Sequence, residues 1–188
     1  ELTKTLARLE VLEPGQQAEC IRDLVPRSSS AALLLHALRE RKWVTPFQVA
    51  RLEAGQGETL RIGRYVLQAE IGEGGMGKIY KAVDSTDRKV VCLKVIRQEL
   101  AESQKLLRRF ERERAAASSL SHPNIVAAYE TGAEKNALYY AMEFVPGCDL
   151  GRWVQERGPL DFRSACEFMR QSALGLQHAH DAELTHRD

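Results

Sequence analysis

The chain has 188 residues, enough for one good core or for a small module joined to part of a larger domain. With 44% hydrophobic and 28% charged residues, its composition is that of a soluble globular protein, which excludes fibrous and disordered classes. Lys and Arg number 27 against 26 Asp and Glu, so no global field points to nucleic acid or an anionic membrane, and any phosphate binding must be local.

The first sixty or so residues read as helices broken by turns. Leu2, Leu6 and Leu9 share a helical face, and Pro14-Gly15 is expected to end that segment. A further helix starts near Ser28 to Ser30. The clearest local signal is Thr45-Pro46-Phe47-Gln48: Thr45 caps, Pro46 suits the first helical position and Gln48 closes a capping box. Gly55 is the natural stop. The Gly-rich, polar stretch from Gly55 to Gly63 is expected to be a flexible link, with a boundary near Gly63.

From Tyr65 the period becomes that of strands. A run through Ile71, a glycine cluster, a run Lys78 to Val83, a turn Asp84 to Asp87 and a run Val90 to Ile96 predict a three-stranded meander. An amphipathic helix follows, with Leu106, Phe110, Ala117 and Leu120 on one side and Arg108, Arg109, Arg112 and Arg114 mostly toward water. Strand-like runs come next at Ile125 to Tyr129 and Ala137 to Phe144. Beyond Pro146-Gly147 the pattern is helical again, from Leu150 and from about Asp161 to His180. In the last helix Ala165, Phe168, Met169, Ala173 and Leu176 read as core. His178 and His180, two apart, do not share a helical face, so a metal site there is not expected.

The four cysteines, Cys20, Cys92, Cys148 and Cys166, are far apart and form no CxxC pair. That disfavours a zinc site or a disulfide framework and fits a reducing, cytoplasmic setting. The most apolar run, Ala31 to Leu38, is interrupted by His36 and is too short to span a bilayer, and no signal-peptide pattern opens the chain.

Gly72-Glu73-Gly74-Gly75-Met76-Gly77 satisfies GxGxxG, a pattern that is weak by itself. A dinucleotide-binding loop opens into a helix, whereas Lys78-Ile79-Tyr80-Lys81-Ala82-Val83 alternates like a strand. Gly72 to Lys78 also fits GxxxxGK, but Ile79 stands where a P-loop needs a Ser or Thr hydroxyl for magnesium. A hairpin turn that happens to be rich in glycine is the stronger competitor.

Further matches follow in order: Val91-Cys92-Leu93-Lys94, His122-Pro123-Asn124-Ile125-Val126, Tyr140 to Gly147 and His186-Arg187-Asp188. With the glycine loop, this set resembles the Hanks-type Ser/Thr protein kinases, especially the bacterial ones, over Tyr65 to Asp188. The resemblance implies an α+β fold: a protein-kinase-like N-lobe, with a five-stranded antiparallel sheet plus the αC helix, and the start of the helical C-lobe. A small helical module precedes it. The domain organisation expected is 1–63 helical extension and 64–188 truncated kinase domain, split into 64–145 (N-lobe) and 146–188 (start of C-lobe).

Site residues follow from the same resemblance. Ile71, Gly72, Glu73, Gly74, Gly75, Met76, Gly77 and Ile79 would cover the nucleotide, the glycines letting backbone amides approach its phosphates. Lys94 would hold the α- and β-phosphates; an apolar strand around it argues for an anionic partner. Cys92 replaces the family's usual alanine and tightens the adenine pocket. Of two candidate partners, Glu113 lies three residues after Phe110 and four before Ala117, on the apolar face, while Glu111 is rotated toward the arginines. Met142 would be the gatekeeper, and the backbones of Glu143 and Val145 would read the adenine edge. Asp149 is either a ribose contact or the N-cap of the helix at Leu150, and both can hold. His122 reads as a loop-packing residue. Asp188 would accept the substrate hydroxyl proton, and Arg187 would pair with a phosphorylated activation loop.

The implied ligands are ATP and Mg2+, with a protein substrate, no nucleic acid and no membrane segment in this chain. The family's magnesium-holding Asp and Asn come after the position of Asp188, and the apolar last helix asks for more partner surface, so a piece of a longer kinase is expected. A catalytically inactive kinase-like scaffold, or an interaction module in the N-terminal helices, are the other readings. On this basis the 188 residues alone should give no magnesium-dependent labelling of a protein substrate above a no-enzyme control. Extension through the natural downstream sequence should restore it, and Asp188→Asn in that longer form should remove it again.

Overall fold

The computed structural model describes residues 1–74, 77–96, 120–134 and 137–185. Four α-helices come first: α1 (Leu2–Arg8), α2 (Pro14–Glu19), α3 (Ala31–Glu40) and α4 (Pro46–Glu53), with a π turn at Cys20–Leu24 and a 3-10 turn at Val25–Arg27. Pro14-Gly15 opens a helix instead of ending one. Proline lacks an N–H that the first helical turn leaves unpaired in any case, and Gln16 Oε1 accepts from the Glu13 N–H at 3.1 Å. Ser30 caps α3, its Oγ accepting from the Leu33 N–H at 3.3 Å. The capping box of α4 forms as predicted: the Gln48 N–H donates to Thr45 Oγ1 (3.2 Å) and the Thr45 N–H to Gln48 Oε1 (2.9 Å). Gly55, at φ +69°, follows its end.

Six strands form one antiparallel sheet in the order β1-β2-β3-β4-β6-β5: β1 (Arg61–Ile62), β2 (Tyr65–Gly74), β3 (Gly77–Asp84), β4 (Val90–Ile96), β5 (Ala128–Glu134) and β6 (Ala137–Glu143). Five strands were expected. The sixth, β1, is only two residues long and so carries no alternation to detect; it pairs Ile62 with Tyr65 across Gly63-Arg64. The stretch expected to be flexible is therefore folded, with a 3-10 turn at Gly57–Leu60 running straight into β1. Strand β5 also starts later than Ile125, because the Ile125 N–H closes a turn onto His122 O (3.0 Å) and leaves Val126 exposed.

One face of the sheet carries a buried cluster. Tyr65, Leu67, Tyr80, Ala82, Val91, Leu93, Tyr139 and Ala141 are all buried there, and Phe47 of α4 packs against them with its ring 6.0 Å from that of Tyr80. Burial of each large apolar side chain contributes up to about 1.5–3 kcal/mol. A second core, inside the helices, runs from Leu6 and Leu38 to Leu60 and includes Val66 of β2. Helices and sheet thus share one strand. Polar contacts reinforce this: Gln48 Nε2 donates to Leu67 O (2.9 Å) and Thr45 Oγ1 to Gln68 O (2.6 Å). At the sheet's edge Arg64 pairs with the buried Asp84 (2.7 Å) and with Glu130 (3.1 Å), and burial pushes the Tyr65 phenol well up.

After the sheet come α5 (Leu150–Arg157) and α6 (Phe162–Asp181), capped by Asp149 and Asp161. Of the core expected on α6, Phe168, Met169 and Leu176 are 37%, 71% and 42% exposed. The contacts seen among the described residues lie on another side of the helix. There Gly175 meets Asn124 O, His122 stacks on His178 with ring centroids 5.1 Å apart, and Asn124 Nδ2 donates to Gln171 Oε1 at 3.4 Å. His122 therefore packs the loop, as expected. Among the described residues no helix is long and apolar enough to cross a membrane.

Leu60 is fully buried where the helical core meets the first strand. Leu60→Ala should cost about 2–4 kcal/mol in urea denaturation, and limited proteolysis should then cut residues 55–64, which resist in the parent protein.

Candidate active site

Strand register decides which side chains can meet. Gly72 lies opposite Ile79, Ile79 opposite Lys94, Lys94 opposite Tyr140 and Tyr140 opposite Thr131. The neighbouring row is Ala69, Lys81, Cys92, Met142 and Ala128. Directly opposed residues of an antiparallel pair share a face, so Gly72, Ile79, Cys92, Lys94 and Met142 all look to one side. Phe47 of α4 packs on the opposite side, against Tyr80. The residues of these two rows are half-buried, while Val66, Val83 and Ile96, on the same side by register, are buried.

The arrangement gives an apolar strip beside a cation. Ile79, Cys92 and Met142 form the strip; burial pushes the Cys92 thiol up, so it stays protonated and behaves as a small apolar group. Lys94 stands next to it on the central strand. Ile71 is an extra residue in β2, where the register shifts between Glu70 and Gly72, and it is 49% exposed beside the glycines. Lys78 belongs to the other face and is held by Glu70 at 3.0 Å, an ion pair that raises its pKa. A strand following the glycines and a Lys78 turned away both remove the dinucleotide and P-loop alternatives.

At the far end of the strip, pairing in β6 stops at Glu143. Its N–H donates to Ala127 O (2.8 Å) and its carboxylate accepts from the Ala127 N–H (3.2 Å). Two residues on, the Val145 N–H donates to no backbone carbonyl among the described residues, and the side chain is 60% exposed. Asp149 Oδ1 accepts from the Arg152 N–H at 2.8 Å, so the capping role is real and its other oxygen is not used by the cap. Gly75, Met76, Glu111, Glu113, Arg187 and Asp188 lie outside the described residues. Sequence reasoning missed Tyr140 and Lys81 on the open face. Period-two alternation was the available signal, since Tyr140 is two residues before Met142 and Lys81 two after Ile79.

The glycines separate by cause. A Cβ on Gly77 would sit 2.0 Å from Val95 O, so packing alone demands glycine there. A Cβ on Gly74 would meet nothing within 4 Å, and one on Gly72 only the Ile79 side chain at 3.8 Å. Nothing among the described residues requires their bareness; a phosphate chain lying against the backbone would. The apolar strip, the lysine and the open glycines therefore fit ATP. In urea denaturation Gly77→Ala should cost about 2 kcal/mol or more, while Gly74→Ala should stay within about 0.5 kcal/mol of the parent and weaken only nucleotide binding.

Comparison with known proteins bears on the same residues. The family model described as the protein kinase domain matches residues 65–188. Serine/threonine-protein kinase PrkC of Bacillus subtilis is 40% identical over 126 residues, which is 67% of this chain and 19% of that protein. Serine/threonine-protein kinase PknA of Mycobacterium tuberculosis is 35% identical over 131 residues, 67% of this chain and 30% of the relative. The chain thus spans about a fifth to a third of the length of these curated relatives. Among solved structures, the Mycobacterium tuberculosis PknI kinase domain superposes with a TM-score of 0.59 at 28% identity, over 68% of this chain and 52% of that one. Thr45 and Gln48 lie before the matched region, whereas the glycine hairpin, Lys94 and the strip that ends at Val145 all fall within it: the chain belongs to the protein kinase domain family, with bacterial serine/threonine kinases among its relatives.

Proposed function

We propose that this chain is the ATP-binding part of a protein serine/threonine kinase, which in its full-length form transfers the γ-phosphate of ATP to protein hydroxyls. The observation that carries this reading is the single row Gly72, Ile79, Lys94 and Tyr140 across four strands, with Cys92 and Met142 beside it. It sets a cation between a glycine hairpin and an apolar strip on the open face. Residues 1–63 are assigned as a helical extension, 64–145 as the N-lobe and 146–188 as the start of the C-lobe.

In this assignment Ile71, Ile79, Cys92 and Met142 hold the adenine by apolar contact, while the Glu143 carbonyl and Val145 N–H read its edge. Gly72, Glu73, Gly74, Gly75, Met76 and Gly77 bring backbone amides to the phosphates, and Asp149 takes a ribose hydroxyl with the oxygen not used in capping. Lys94 orients the α- and β-phosphates and is itself fixed by Glu113. ATP with Mg2+ supplies the transferable phosphoryl group. Asp188 holds the acceptor hydroxyl by taking its proton, and Arg187 couples the site to a phosphorylated segment.

The test is a substitution at the cation. In the full-length protein, with saturating ATP and magnesium, Lys94→Met should lower kcat by at least about a hundredfold with circular dichroism unchanged. Glu113→Gln should be milder. Turnover close to the parent's in Lys94→Met would remove Lys94 from the site.

A further inference from the structure

Strand β2 contains two bulges. Between Leu67 and Ala69, and again between Glu70 and Gly72, β2 advances two residues while β3 advances one, so Gln68 and Ile71 are extra. Together they bring Gly74 opposite Gly77 and place Gly72 in the row of Ile79 and Lys94. Loss of the Gln68 bulge alone would move everything beyond it by one residue. Gly72 would then face Lys78 instead of Ile79, and Glu73 would replace Gly74 opposite Gly77. A one-residue slip turns each downstream side chain to the opposite face of the sheet.

The first bulge is held from outside the sheet. Gln48, 3% exposed, donates from Nε2 to Leu67 O (2.9 Å), and Thr45 Oγ1 donates to Gln68 O (2.6 Å). These are the two side chains of the α4 capping box. Each makes one bond within the helix and one across to the bulge. The cap is thereby locked to the two carbonyls at which β2 leaves regular pairing. A buried carbonyl without its donor is costly, so register and cap favour each other.

We propose that Thr45 and Gln48 are positioning residues for the nucleotide site: by clamping the Gln68 bulge they set the register that presents the glycine hairpin to ATP. The helical extension is on this view part of the ATP site's machinery. The nucleotide half of the inference rests on the kinase reading above; the register half does not.

The experiment uses the full-length protein and its Thr45→Val, Thr45→Ser and Gln48→Met variants, with two readouts. Amide hydrogen exchange of β2 and β3 without nucleotide reports the register, and KM for ATP against kcat reports the site. Thr45→Val and Gln48→Met should each speed exchange beyond Gln68 and raise KM for ATP about fivefold, the equivalent of one net hydrogen bond, with little change in kcat. Thr45→Ser, which keeps the hydroxyl, should match the parent in both. A lower melting temperature with unchanged exchange and unchanged KM would reduce Thr45 and Gln48 to a helix cap and overturn the proposal. If Gln48→Met does not fold, the Val and Ser pair at Thr45 decides by the same criteria. A parent protein that binds no ATP would sink the kinase reading, while faster exchange in Thr45→Val would still uphold the clamp.

Discussion

A β-sheet offers side chains to both of its faces, and what each face does depends on what covers the other. Here Phe47 of α4 and Ile62 of β1 pack against the buried cluster of Leu67, Tyr80, Val91 and Leu93 on one side. That closure fixes the parity of every central strand. With Leu93 committed to the helices, Cys92 and Lys94 have no choice but the open side, and β3 and β6 follow through their register with β4. The placement of the cation is thus a consequence of apolar burial about one residue away.

The two cores are coupled by β2. Val66 enters the helical cluster while its neighbours Tyr65 and Leu67 enter the sheet cluster, so one strand is held from both sides. The pairing of Arg64 with Asp84 and Glu130 ties the same strand to β3 and β5 at the sheet's edge. Carboxylate Asp84 is buried yet matched by the guanidinium and by the Thr86 N–H at 2.9 Å, which is how a charge is tolerated there. Rigidity is therefore concentrated at the base of the hairpin.

Much of this was legible in the sequence because period-two alternation is strong wherever one face is sealed. Strand β4 begins and ends where the pattern put it, and Thr45-Pro46-Gln48 announced its helix by chemistry alone. Other features failed for physical reasons. Ile125 and Val126 are β-branched and apolar yet sit in or beside a turn, since a local hydrogen bond to His122 outweighs their strand preference. Phe168 and Met169 look like core because sequence shows apolarity, whereas burial depends on what else is present. Least legible of all were the bonds from Thr45 and Gln48 to β2: the capping box already accounted for both side chains, and nothing marked their second partners. Of the site, the half-buried row was readable once the motifs were aligned; Glu113 rests on the helical-face pattern together with the family's motif, and Arg187 and Asp188 rest on alignment alone.

The shared strand also bears on modularity. A boundary at Tyr65 is where the match to the protein kinase domain family starts, yet it runs through the middle of a packed interface. Cutting there would strip Phe47 from Tyr80 and Leu60 from Val66, and leave the carbonyls of Leu67 and Gln68 without their donors. The bared strip of tyrosine, leucine and valine would be a ready surface for self-association. The helices and the sheet thus pack as one unit through β2. Substitutions in α4 are constrained by the strands they cover.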